Sequence, residues 1–167
     1  LTLEGIQQFF INIKHNDWKY DVIIDLYDTI NVGQCIIYMN SKNKILEVYD
    51  KLTKDNFPVN YITGDRNVQE RNDIMDQFRS GTLRILLSSD LLARGIDIQQ
   101  LSLVINYDLP REKETYIHRI GRSGRYGRKG VAINLINDRE VDYMKHIEEF
   151  YDTKINEMPQ NIADYLN

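Results

Sequence analysis

Short apolar runs alternate with longer stretches of helical period along the whole chain. Residues 34–39 (QCIIYM) form a short, β-branched run that predicts a strand. Residues 42–56 follow with Ile45, Leu46, Tyr49 and Leu52 at helical spacing. A strand is predicted over 57–62, where Pro58 is tolerable only near the start. Over 68–81, Ile74, Met75 and Phe78 share one helix face, and Gly81 suits the C-cap. Residues 83–89 and 101–108 read as buried strands, the second stopped by Pro110. Residues 113–120 read as a short helix, 131–136 as a core strand, and 138–152 as a terminal helix capped by Asp138. Upstream, 6–13 and 18–30 give one more strand and helix. This alternation calls for an α/β domain spanning 1–167, with a mostly parallel sheet of five to six strands and helices on both faces. In such sheets ligands gather outside the C-terminal strand ends. Function is therefore expected just after 38–41, 86–89 and 105–108, and in the connection entering 131–136.

Composition narrows the class. At 167 residues, 42% hydrophobic and 28% charged, the chain can bury a core without disulfides, and disorder is excluded. Cys35 is the single cysteine, sits in an apolar run and reads as a small buried hydrophobe. A disulfide within the chain is impossible, which points to a reducing compartment. No apolar stretch approaches the ~18–20 residues of a membrane span, so no membrane partner is expected. Residue 1 is leucine and no signal peptide is visible, so the chain is expected to be a piece of something longer. His15, His118 and His146 are scattered, and no metal set is read from them.

The net charge of -4 hides an uneven distribution. Residues 118–130 (HRIGRSGRYGRKG) carry four Arg and one Lys and no acid, while 138–167 carry eight acids against three bases. A disordered arginine–glycine tail does not fit, because a helical pattern precedes the segment and a core strand follows it. A solvated helix face fits poorly, since each interior glycine costs about 1 kcal/mol relative to alanine. The favoured reading is a tight loop in which glycine lets the backbone approach a ligand and guanidinium groups converge on an anion. Residues 88–98 (SSDLLARGIDI) offer N-cap chemistry at Ser88, Ser89 and Asp90, with N–H groups free for phosphate, and then present Asp97 after Gly95. An ordinary β–α turn with a capping Asp fits the same residues equally well.

Together these pieces resemble the second RecA-like domain of a DEAD-box RNA helicase. HRIGRSGRYGR resembles the family's motif VI, SSDLLARGID its motif V and CIIYMNS its motif IV, with VINYDLP and YIHRIGR in the family's order. The resemblance covers essentially the whole chain and looks most like the initiation factor 4A branch, which includes the translation factor and a nuclear exon-junction relative. It implies a RecA-like three-layer sandwich. It also implies that Arg122 and Arg125 act as arginine fingers on the γ-phosphate of ATP held, with Mg2+, by a separate N-terminal RecA-like domain. Asp97 then bonds the ribose, Gly95 makes a backbone contact, and Tyr126 packs near the adenine or serves ordinary packing. His118 and Arg119 couple the nucleotide and RNA sites. Asn40, Ser41, Gly64, Asp65, Arg71, Ser89 and Asp90 touch the sugar-phosphate backbone of single-stranded RNA. Arg128 and Lys129 receive no role.

The resemblance has departures. The family's Gln-x-x-Arg before the helix at 68–81 becomes Val68 with Gln69 one residue late, Thr63 replaces a common histidine, and Ser88 and Ser89 replace threonines. The chain lacks G-x-x-x-x-G-K-[ST] and Asp-Glu-Ala-Asp, so the isolated domain is expected to be inactive and to bind ATP weakly. The implied whole is an ATP-dependent RNA helicase that unwinds short duplexes in translation initiation. It is expected in the cytoplasm, with the nucleus open. Three alternatives stand beside it: a protein-interaction module docking a helical-repeat scaffold, an exon-junction or RNA-clamping role, and a DNA-directed helicase of the same superfamily.

Overall fold

Alternate residues of each central strand face opposite layers of helices, and that alternation organises the domain. A computed structural model describes residues 1–30, 33–90, 101–121 and 130–162. The strands are β1 (Ile6–Asn12), β2 (Cys35–Tyr38), β3 (Val59–Ile62), β4 (Ile85–Ser88), β5 (Leu103–Asn106), β6 (Gly130–Ile136) and β7 (Asn156–Glu157). The helices are α1 (Lys19–Thr29), α2 (Lys42–Lys54), α3 (Val68–Arg79), α4 (Lys113–Ile120) and α5 (Val141–Tyr151). On one face Cys35, Ile37, Ile85, Leu87, Leu103, Ile105, Val131 and Ile133 pack with α1 and α2 through Ile23, Leu26, Ile45, Val48 and Leu52. On the other, Ile36, Tyr38, Leu86, Val104, Ala132 and Ile136 meet α3, α4 and α5 through Ile74, Phe78, Tyr116, Ile120, Met144 and Ile147. The result is the expected α/β three-layer sandwich.

The sheet runs β3-β4-β2-β5-β6-β1-β7, and every ladder in it is parallel. β2 lies third in that order, paired to β4 and β5, and its four residues are at most 1% exposed. Each fully buried aliphatic side chain there contributes about 1.5–3 kcal/mol. Leaving β2, the chain travels to β3 on one side; leaving β5, it travels to β6 on the other. The C-terminal ends of β2 and β5 are thus a point where the strand order reverses, the usual place for a ligand crevice in an open α/β sheet.

Two details differ from expectation. The sheet has seven strands rather than five to six; the extra one, β7, is two exposed residues paired with Phe9 and Phe10 of β1. A pair of exposed polar residues carries no period to read. The last helix is not capped by Asp138. Asn137 accepts from the Arg139 amide at 2.9 Å, and Glu140 accepts from the Asn137 amide at 3.1 Å, the reciprocal spacing of a capping box. A short 3-10 turn over Asp138–Glu140 precedes α5, and the Asp138 carboxylate instead accepts from Asn12 at 2.8 Å. α3 has its own capping box from Asn67 and Glu70, and Gly81 follows its C-cap Ser80 at φ +85°, a conformation that favours glycine.

Cys35 is 1% exposed, and burial pushes its thiol up to about 12. An unfolded thiol ionises from about pH 8.5. The folded state therefore holds more protons between those values, and stability falls as pH rises from about 8.5 towards 12. A colourless thiol reagent assay at pH 8 should leave Cys35 unmodified until denaturant unfolds the chain. Full reaction of the native protein within minutes would contradict this burial.

Candidate functional site

The loops after β2, β4 and β5 meet at the switch point and are tied together by one side chain. Arg119, in the last turn of α4, has no exposed surface. Its Nε donates to Asp90 Oδ1 just beyond β4. Its Nη1 donates to Asn106 Oδ1 at 3.1 Å and to the Asp108 carbonyl at 2.6 Å, and its Nη2 donates to Asn40 Oδ1 at 2.6 Å. The guanidinium also lies 5.4 Å from the centre of the Tyr38 ring. A buried charge is tolerable only when it is paired and hydrogen-bonded, and this one is paired with Asp90 and makes four hydrogen bonds.

A second cation clamps the same loop from the other face of the sheet. Lys19, on α1 and 3% exposed, donates to the Tyr107 carbonyl at 2.7 Å and to Asp108 Oδ1 at 3.3 Å. The other Asp108 oxygen accepts from the Asn40 amide at 3.0 Å, and Asn40 Nδ2 donates to the Leu109 carbonyl at 2.9 Å. Residues 38–40 and 106–109 are therefore bolted to each other and to both helical layers.

The sequence-predicted residues fall into groups. Asn40, Asp90 and Arg119 are joined by direct hydrogen bonds. The Asn40 carboxamide is engaged through both its oxygen and its nitrogen, and its main-chain N–H is held by Asp108, so its main-chain carbonyl is the part left for a ligand. Ser41 caps α2, accepting from the Lys44 amide at 3.1 Å. Ser89 is half-buried, with its amide 3.4 Å from the Ile62 carbonyl. Gly64 and Asp65 are exposed beyond β3, and Asp65 is held by Lys42 at 2.5 Å and by the Thr63 hydroxyl. These hydrogen bonds, Lys42 first, lower the Asp65 carboxyl to about 2, so it stays ionised to strong acid. Such a group suits a ribose hydroxyl and repels phosphate. Arg71 is half-buried, one turn into α3, and His118 is half-buried beside Arg119. Gly95, Asp97, Arg122, Arg125 and Tyr126 lie outside the described residues.

Gly121 ends α4, directly before Arg122. A Cβ placed there would stand 2.4 Å from the Ile117 carbonyl oxygen and 2.8 Å from Ile117 Cγ1. Glycine is needed here because the chain leaves α4 over its own last turn. At this position the close approach is to the helix itself, whereas the sequence pattern suggested an approach to a ligand.

Lys19, Asn106 and Asp108 were not foreseen. Asn106 did leave a signal, as a polar residue inside an apolar run whose side chain must find a partner when buried. Lys19 left none, since a lysine near a helix start is ordinarily solvated.

Residues 18–127 match the model of the helicase conserved C-terminal domain. The chain belongs to that helicase family. It is a RecA-like domain of the DEAD-box kind: it shares 36% identity and a TM-score of 0.84 with the C-terminal domain of the DEAD-box protein Dbp5, covering 99% of this chain and 96% of that one. It superposes on S. cerevisiae Dbp5 bound to RNA and ADP BeF3 with TM-score 0.90 at 34% identity, over 100% of this chain and 47% of that one. Among curated relatives, it is 58% identical to the ATP-dependent RNA helicase eIF4A of Eremothecium gossypii, over 100% of this chain and 42% of that protein. It is 52% identical to eukaryotic initiation factor 4A of Caenorhabditis elegans, over 99% and 41% respectively. The helicase domain thus spans about two fifths of the length of these relatives. Among the described residues, no helix is long and apolar enough to cross a membrane.

Replacing Lys19 with Met would leave the Tyr107 carbonyl and Asp108 Oδ1 without their Lys19 donor. Hydrogen bonds to charged groups are worth about 1.5–3 kcal/mol, so Lys19→Met should cost about 2 kcal/mol in a urea titration. An unchanged midpoint would remove the clamp from the account.

Proposed function

We propose that this chain, over 1–167, is the second of two RecA-like domains in an ATP-dependent RNA helicase, the first lying elsewhere in the full protein. The observation that carries the reading is the Arg119 cluster. It joins the loop at Asn40, the segment at Asp90 and the helix that leads through Gly121 into Arg122. A strand of RNA resting on the first two would therefore feel, through one rigid side chain, where the arginine segment stands.

Arg122 and Arg125 are the phosphate-facing residues of this proposal. Beyond the buried Arg119, residues 122–129 carry four cations in eight residues and no acid, which fits a polyphosphate, and guanidinium groups keep their charge at any working pH. ATP bound on the first domain would supply the phosphoryl group, with Mg2+ held there too. The residues of this chain would stabilise the charge that develops on it, shield it from water, and hold the ribose at Asp97 and Gly95 with Tyr126 near the base. Asn40, through its main-chain carbonyl, with Ser41, Gly64, Asp65, Arg71, Ser89 and Asp90, would position the RNA backbone without reading sequence. His118 and Arg119 would couple the two sites. The likeness to initiation factor 4A proteins supports a place in translation initiation and in the cytoplasm. A helical-repeat scaffold is the proposed protein partner. The half-exposed Phe150 on α5, beside Glu148, Glu149 and Asp152, supports docking there, and Dbp5 is itself recorded with Gle1.

In the full-length protein, Arg122→Ala should cut RNA-stimulated ATPase by about 10³-fold or more, the usual worth of an arginine finger. Near-normal turnover would overturn the finger role. Val68 is 65% exposed at the first position of α3, so a longer polar side chain is accommodated without repacking. Val68→Gln should tighten RNA binding about two- to tenfold, the worth of one hydrogen bond, in fluorescence anisotropy at fixed salt. Unchanged affinity would remove residues 64–71 from the RNA surface.

A further inference from the structure

Behind Arg119 a line of buried polar side chains crosses the sheet. Asn106 and Asn134 stand opposite each other on β5 and β6, on the α4 face, and neither has exposed surface. Asn106 Nδ2 donates to Asn134 Oδ1 at 2.8 Å, and Asn134 Nδ2 donates to the Phe9 carbonyl of β1 at 3.1 Å. Asn134 Nδ2 also lies 3.2 Å from the Tyr116 hydroxyl, which donates to Gln8 Oε1 at 2.8 Å; Gln8 Nε2 ends the line on the Thr153 hydroxyl at 2.7 Å.

The direction of this line is set by its one main-chain member. A carbonyl can only accept, so the amine end of Asn134 must face Phe9 and its oxygen must face Asn106. Asn106 must then turn its own amine toward Asn134 and its oxygen toward Arg119. Turning either amide round would set donor against donor or acceptor against acceptor where no water can relieve it. Arg119 therefore always meets an acceptor at that corner. Tyr116 sits to one side: without its hydroxyl, Asn134 keeps the Phe9 carbonyl and the order survives. Burial pushes the Tyr116 phenol well above its ordinary range, so it stays a neutral donor.

We propose that Asn106 and Asn134 are positioning residues that orient Arg119, and through the rigid exit at Gly121 aim the segment that begins at Arg122. The inference deepens the helicase reading and rests on it for its effect on turnover, though not for its effect on the guanidinium. The placement of a group that acts only in the transition state shows in kcat rather than in KM. Misplacing such a group by about 1 Å can cost about 100-fold.

The test uses the full-length protein and three variants. Asn106→Asp keeps an acceptor for Arg119 but loses the donor to Asn134 and so weakens the fold, Asn106→Leu removes the acceptor at similar volume, and Tyr116→Phe weakens the fold without touching the order. Asn106→Leu should lower the RNA-stimulated kcat on the order of tenfold or more, with KM for ATP within about twofold. Asn106→Asp should retain most of kcat, and Tyr116→Phe should lower the urea midpoint with kcat unchanged. Asn106→Ser takes the place of the leucine variant if that one does not fold, with the same expectation. Separately, a slowly exchanging arginine Nη–H resonance, assigned to Arg119 by its loss in Arg119→Lys, should persist in Asn106→Asp and broaden or vanish in Asn106→Leu. A leucine or serine variant that folds and keeps both the resonance and kcat overturns the proposal. So does an Asn106→Asp variant as slow as Asn106→Leu. If the wild-type protein shows no RNA-stimulated ATPase, the helicase reading fails, and the resonance alone still decides the positioning.

Discussion

A guanidinium with no exposed surface cannot escape its charge by losing a proton, so every direction in which it points must hold an acceptor. Arg119 imposes that condition on the domain. Its partners are two carboxamide oxygens, a carboxylate and a main-chain carbonyl, drawn from the ends of three different strands. Removing any of them leaves part of a buried charge uncompensated, which costs more than the net worth of the bond when present. The cluster thus tolerates one arrangement of the three loops and resists others. That is the property a site needs if it is to report the state of one ligand to another.

Parallel strand order explains why those loops can be reached from a single side chain. Because the chain leaves β2 and β5 in opposite directions, their C-terminal ends stand side by side at the point where the strand order reverses. Lys19 from one helical layer and Arg119 from the other then close on residues 107 and 108. The two cations do different work. Lys19 holds the loop in place through Tyr107 and Asp108 alone, whereas Arg119 also reaches Asn40 and Asp90 and so crosses between segments.

Much of the fold was legible because both sheet faces are buried. Runs such as 34–39 and 131–136 announce strands, and 113–120 coincides with α4. What escaped were features set by local polar chemistry. Asn137 and Asp138 are both good caps, and only the Glu140 three residues after Asn137 decides between them. β7 is too short and too exposed to leave a pattern. At the site, motif resemblance drew attention to Asn40 and Asp90 but could not show that their side chains face inward to Arg119. That depends on distances between residues 29 and 79 positions apart in sequence. Lys19, 88 positions from the carbonyl it holds, was beyond the reach of any local rule.

The regular beat of arginine and glycine over 118–130 conceals unlike members. Arg119 is still on the helix and turned wholly into the protein, where it is a structural cation. Gly121 is the hinge between the two regimes, because no side chain fits between it and Ile117. Everything the beat offers to a ligand therefore comes after residue 121, carried by a chain whose departure from α4 is fixed by sterics at Gly121 and by hydrogen bonds at Arg119. A net-acidic domain can bear such a basic segment without general affinity for polyanions, since the first of its arginines is already neutralised internally by Asp90. What remains is a concentration of positive charge in the sequence directly after a helix whose last turn is anchored at the strand-order reversal.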